Sequence, residues 1–163
     1  MLFTNGTEGS LMVSMNKLYN LKNPFQGTAK KVLCLCSAGL LRSPTAALVL
    51  SSEPFNFNTR AAGVNDEYAL ITVDEALLAW ADEIVVMEIY MKMDLLDKGC
   101  KKPIICLDIK DDFDYRDPVL VELIKMKYKE KSKGVDIVQT KRLNDSKADK
   151  KPNRVRAKRS KTS

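Results

Sequence analysis

The sequence contains no histidine. That absence excludes a Ser-His-Asp triad, a Cys-His dyad, an HExxH zinc site and any imidazole proton relay. Chemistry must fall to Cys, Asp, Glu, Arg, Lys, Ser or Tyr. Aromatic residues are scarce, at 7% of 163. No apolar run approaches the roughly 18 residues needed to span a bilayer. The N-terminus lacks a basic-then-apolar leader, so the expected location is cytoplasmic, with no membrane contact. The four cysteines are also unsuited to zinc: Cys34 and Cys36 form Cys-x-Cys, and Cys100 and Cys106 form Cys-x5-Cys. Neither a metal site nor, in a reducing cytosol, a structural disulfide is expected.

A 45% hydrophobic, 29% charged chain of this length suits one domain with an ordinary core. Its charge is unevenly placed. Residues 139–163 carry ten Lys/Arg (Lys141, Arg142, Lys147, Lys150, Lys151, Arg154, Arg156, Lys158, Arg159, Lys161) against Asp145 and Asp149, a net +8. The whole chain is +6, so residues 1–138 are net −2. Beyond Val138 the apolar content is too low to offset the entropy of ordering, and 139–163 reads as a disordered basic tail. Such a tail serves solubility or makes weak electrostatic contact with nucleic acid or acidic partners; no aromatic is interleaved for base stacking.

Residues 1–29 read as a loosely ordered leader that packs on the domain through Tyr19, Leu21 and Phe25. From residue 30 to 138 the pattern is that of alternating strands and helices. Val32–Cys36 is a continuous apolar run, as in a central strand covered on both faces. Ser43-Pro44 predicts a helix start, with Ser as N-cap and Pro at the first helical position. Phe55–Ala61 alternates like a second strand and is closed by Gly63. Thr72 and Glu75 have capping-box spacing ahead of a helix that carries Trp80 into the core. Ile84–Met87 reads as a strand, Tyr90–Leu96 as a helix and Pro103–Leu107 as a fourth strand. An acidic loop, 108–117, leads to a last helix from Pro118 to Lys125, with Asp117 as its cap. The alternation implies an α/β fold: a four-stranded parallel sheet with helices on both faces.

The segment after the first strand carries the chemistry. Cys36-Ser37-Ala38-Gly39-Leu40-Leu41-Arg42-Ser43 spaces Cys and Arg by five residues, enough for the backbone to curl into an anion nest. The following helix adds its positive end. Arg42 can grip two phosphate oxygens with its planar fork. The same field favours Cys36 as a thiolate without a histidine base. Ser43 can donate to that sulfur, and Gly39 suits a left-handed loop position. Ser37, Ala38, Gly39, Leu40 and Leu41 would turn their amides to the phosphate. Protonating a departing oxygen needs an acid, and the parallel sheet should bring Asp111, Asp112 and Asp114 to the same edge as Cys36.

With these residues in place, the chain resembles the low-molecular-weight protein tyrosine phosphatases, above all their short bacterial and phage-type members. Carrying the resemblance are Val32–Ala47, Thr59-Arg-Ala-Ala-Gly63, Trp80–Glu88 and Leu107–Phe113. It implies a flavodoxin-like fold, a phosphocysteine intermediate and no cofactor or metal. Cys36 would be nucleophile, Arg42 phosphate clamp and Ser43 thiolate stabiliser. Aligning on the aromatic makes Asp111 the acid, with Asp112 as the alternate, and places Phe113 at the substrate wall. Gly39 replaces an Asn common in the family, an exchange expected to loosen the loop. Leu41 replaces a cysteine that in several members protects the nucleophile as a disulfide. The implied substrate is a phosphorylated protein or a small phosphoester. Arsenate reduction and phospho-ligand binding without turnover are the competing functions.

Overall fold

The structure, a computed structural model, describes residues 15–148. Four parallel strands, β1 (Lys31–Cys36), β2 (Asn58–Gly63), β3 (Glu83–Val86) and β4 (Ile104–Cys106), lie in the order β2-β1-β3-β4. Helix α1 (Met15–Asn20) and a 3-10 turn at Pro24–Gln26 precede β1. Helices α2 (Arg42–Ser51), α3 (Glu75–Trp80), α4 (Ile89–Asp97) and α5 (Pro118–Ala148) connect or follow the strands. The chain steps outward from β1 to β2, then crosses back to β3 and β4. Right-handed crossovers therefore place α2 on one face and α3 and α4 on the other. Helix α5 returns to pack on α2. Strand β1 is buried from Val32 to Cys36, as its unbroken apolar run requires. The switch in strand order falls between β1 and β3, so their carboxyl ends open the crevice where doubly wound sheets bind ligands.

The core runs from Leu33, Leu35 and Ile84 through Met87, Met91 and Leu95 to Leu120, Ile124 and Tyr128. Trp80 joins it, 8% exposed. Its indole N–H donates to Gln26 Oε1 at 2.6 Å, and the Arg60 guanidinium lies 5.2 Å from the ring centroid. The leader differs from expectation, because, of Tyr19, Leu21 and Phe25, only Leu21 packs on the core. Tyr19 and Phe25 are exposed. Residues 1–14, the rest of that leader, lie outside the described residues.

Several element boundaries shift for identifiable reasons. Strand β2 starts at Asn58, since Asn56 takes a left-handed φ of 53° and breaks the extended run. Phe55 and Phe57 instead pack their rings on Tyr128. Asp74, not Thr72, caps α3 by accepting from the Leu77 amide at 2.8 Å; Thr72 bridges to Gly63 at the end of β2. Asp117 accepts from the Val119 amide, a cap as expected. Helix α5 continues to Ala148, into the first part of the basic stretch. Residues 149–163 lie outside the described residues. Among the described residues no helix is long and apolar enough to cross a membrane.

Candidate active site

Cys36 ends β1 and Arg42 opens α2, so the segment between them must reverse within a few residues at the sheet's carboxyl edge. Gly39 makes this possible with φ of 74°. Its fit is steric as well as conformational. A Cβ there would sit 2.8 Å from Gly63 N and 2.9 Å from Ala62 C. Gly63 has the reciprocal constraint, with Ser37 O at 2.6 Å from its hypothetical Cβ. The loop is thus pressed backbone to backbone on the end of β2. Val64 N donates to Cys36 O at 2.9 Å and Asn65 N to Ser37 O at 3.1 Å, fastening it further.

Cys36 is nearly buried, 3% exposed as a residue. The Gly39 amide donates to its sulfur at 3.2 Å, and Ser43 Oγ lies 3.1 Å away. That hydroxyl also lies within 3.2 Å of Ala62 O as a donor. Having one proton, it can donate to the carbonyl and accept from a thiol, or donate to a thiolate. Ser43 is consequently not the helix cap expected of it. Leu41 occupies the N-cap position without a side-chain bond, and Pro44 falls within the first turn, where its missing N–H is harmless.

Arg42 is 1% exposed. Its Nη1 donates to Glu88 Oε1 at 2.6 Å and to Ile109 O at 2.8 Å, and Nη2 donates to Ser37 Oγ at 3.3 Å. Asp111 Oδ1 lies 3.0 Å from Nε, yet the approach is off the N–H direction, and that buried N–H has no well-directed acceptor. Ser37 Oγ also shares a hydrogen bond with the Tyr90 hydroxyl at 2.9 Å.

Cys36, Ala38, Leu40, Leu41, Arg42 and Asp111 line one cavity of about 170 Å³. Asp112 and Asp114 are exposed and do not line it. Phe113 is not on its wall either; it is half-buried and packs against the core. A larger groove of about 570 Å³, between residues 17–26 and α3, shares no lining residue with this cavity. Glu88 and Thr45 join the site through Arg42 and Arg116, contacts that the motif spacing does not predict. Glu88 was detectable as a carboxylate directly after an apolar strand at the sheet's functional edge. Cys34, two residues before Cys36, is fully buried. Burial, with Glu83 and Cys36 nearby, pushes its thiol far above the ordinary range. All four cysteines are free.

Neither a protein-family model nor a curated protein matches the sequence. Solved structures do. Wzb from Vibrio vulnificus, in complex with benzylphosphonate, is 17% identical with a TM-score of 0.50, covering 67% of this chain and 99% of Wzb. The fold is that of the low-molecular-weight protein tyrosine phosphatases. YwlE arginine phosphatase from Geobacillus stearothermophilus is 18% identical, TM-score 0.49, over 71% of this chain and 96% of that one. A thioredoxin-dependent arsenate reductase from Corynebacterium glutamicum is 15% identical, TM-score 0.46, over 76% and 70%.

Proposed function

We propose that the chain is a phosphomonoester hydrolase of tyrosine-phosphatase type, working through a phosphocysteine at Cys36. The observation that carries this reading is the sulfur itself. Cys36 lines a cavity together with the buried Arg42, and its sulfur accepts from the Gly39 amide and lies within hydrogen-bond distance of the Ser43 hydroxyl. An anion is the ligand such a site suits, because the Gly39 amide and the Arg42 guanidinium supply a donor and positive charge beside the sulfur.

In the first step the Cys36 thiolate attacks phosphorus. The S–P bond forms, the P–O bond to the leaving group breaks, and protonated Asp111 gives its proton to the departing oxygen. In the second, the Asp111 carboxylate takes a proton from water as the water oxygen attacks phosphorus. The S–P bond breaks, phosphate leaves and the thiolate returns. Arg42, with the amides of Ser37 through Leu41, would bind the non-bridging oxygens and the charge they gain. The free direction of Arg42 Nε supports this role, since a phosphate oxygen could accept there. Asp111 is favoured over Asp112 as the acid because it lines the cavity.

Hydrolysis of p-nitrophenyl phosphate with chelator present tests the reading. Wild type should turn over and Cys36→Ser should lose activity by at least about a thousandfold. Asp111→Ala should fall by about a hundredfold on a poor leaving group, and Asp112→Ala should stay near wild type. Freshly reduced wild type without turnover on any aryl phosphate would point to phospho-ligand binding instead.

A further inference from the structure

The 108–117 loop carries Asp111 between two anchored ends. At its start, Ile109 is buried, its amide donates to Met87 O at 2.8 Å and its carbonyl accepts from Arg42 Nη1. At its finish, the Arg116 amide donates to Thr45 Oγ1 at 3.1 Å. Between them only Phe113 is half-buried; residues 110–112, 114 and 115 are exposed. Asp108 and Arg116 both adopt left-handed φ, 55° and 59°, without being glycine. Such backbone persists only where its surroundings hold it.

Thr45 is wholly buried in the first turn of α2. Its hydroxyl proton is committed to Leu41 O, 2.7 Å away, so a lone pair is what faces Arg116. One side-chain atom therefore joins the phosphate loop, through Leu41, to the loop that bears the acid. We propose that Thr45 is a positioning residue for general-acid catalysis: its hydroxyl holds the far end of the acid loop on the phosphate loop and so sets the reach of Asp111 to the leaving oxygen. This inference rests on the phosphatase reading above.

The test is kcat/KM over a series of phosphate esters, from p-nitrophenyl phosphate to unsubstituted phenyl phosphate. A good leaving group departs without a proton and a poor one does not. Thr45→Val keeps the shape and removes both the acceptor for the Arg116 amide and the donor to Leu41 O. It should lose about tenfold on phenyl phosphate and about twofold or less on p-nitrophenyl phosphate, a smaller version of the Asp111→Ala pattern. Thr45→Ser, which restores the hydroxyl, should return the dependence toward wild type. Melting midpoints establish that each variant is folded, and Thr45→Ala is read in place of Thr45→Val if the latter is not. An equal loss across the series, or no rescue by Ser, overturns the inference while Cys36→Ser still reports on the phosphocysteine route. A wild type that fails to turn over, or a flat series for Asp111→Ala, overturns it together with the acid assignment beneath it.

Discussion

At the scale of single residues, the site depends on atoms that are missing as much as on those present. Gly39 and Gly63 face each other where the Cys36–Arg42 loop meets β2, and a methyl on Gly63 would have Ser37 O at 2.6 Å and Ala69 Cβ at 2.6 Å. The backbone atom cannot swing aside as a flexible side chain would, so Gly63→Ala must move the loop. Turnover should fall by about tenfold or more, since an ångström of misplacement can cost a hundredfold; retained turnover would show that the loop tolerates the shift. Glu88 acts differently. It holds Nη1 of a buried Arg42 at 2.6 Å, and a charged partner makes the stronger hydrogen bond. Glu88→Gln should weaken inhibition by inorganic phosphate and lower kcat/KM by about tenfold. Unchanged phosphate inhibition would mean that Ile109 O alone orients the guanidinium.

Cys34 provides a pH signature. Its thiol is pushed far upward in the native state, whereas in the unfolded chain it ionises near the ordinary value of about 8.5. The native state thus keeps a proton that the unfolded state releases. Its contribution to stability is full below that pH and is lost as pH rises above it, by up to about 1.4 kcal/mol per unit. Urea unfolding at rising alkaline pH should show this fall in wild type and a shallower one in Cys34→Ala. Parallel slopes would assign the alkaline loss to other groups.

At the scale of elements, short helices depend on their first turns. Helix α3 has only six residues, too few to be stable from propensity alone. Asp74 satisfies the Leu77 amide, and Asp74 also pairs with Lys17 at 3.2 Å, an exposed contact of little worth. Asp74→Ala should therefore cost about 1 kcal/mol, the value of a lost cap, read as a lowered urea midpoint. Lys17→Ala should cost far less, and equal losses would give the credit to the ion pair. The same local logic explains which helix starts were legible. Asp117 before Pro118 offers a carboxylate, and it accepts from the Val119 amide at 2.8 Å. Ser43 before Pro44 looks like the same signal, but its hydroxyl is claimed by Cys36 and Ala62, contacts that exist only after β1 and β2 pair.

At the scale of the whole molecule, the two edges of the sheet have separate tasks. The carboxyl edge holds Cys36, Glu88, Ile109 and Asp111. The amino edge is fastened by Glu83, 4% exposed, which pairs with Lys30 at 2.6 Å and accepts from the Tyr128 hydroxyl at 2.7 Å. This buried carboxylate ties β3, the approach to β1 and α5 together. Tyr128→Phe should lower stability by about 1–2 kcal/mol by removing one donor from it, with turnover unchanged, because Tyr128 lies away from the cavity. A shift under about 0.5 kcal/mol would show that Lys30 suffices.

The sequence by itself determined the alternation of strands and helices, the parallel sheet and the position of the Cys36–Arg42 loop, because periodicity, turn residues and motif spacing are local. It also pointed to the 108–117 loop, since every strand of a parallel sheet opens on one edge. Tertiary structure alone decided which groups meet there. Glu88 and Ile109 O come to Arg42 from the segments just after β3 and β4, and Thr45 finds Arg116 across 71 residues. Phe113 turns to the core, and α5 extends into the basic stretch that its composition alone left unordered. Such pairings depend on side-chain directions fixed only when distant elements pack, and no local pattern encodes them.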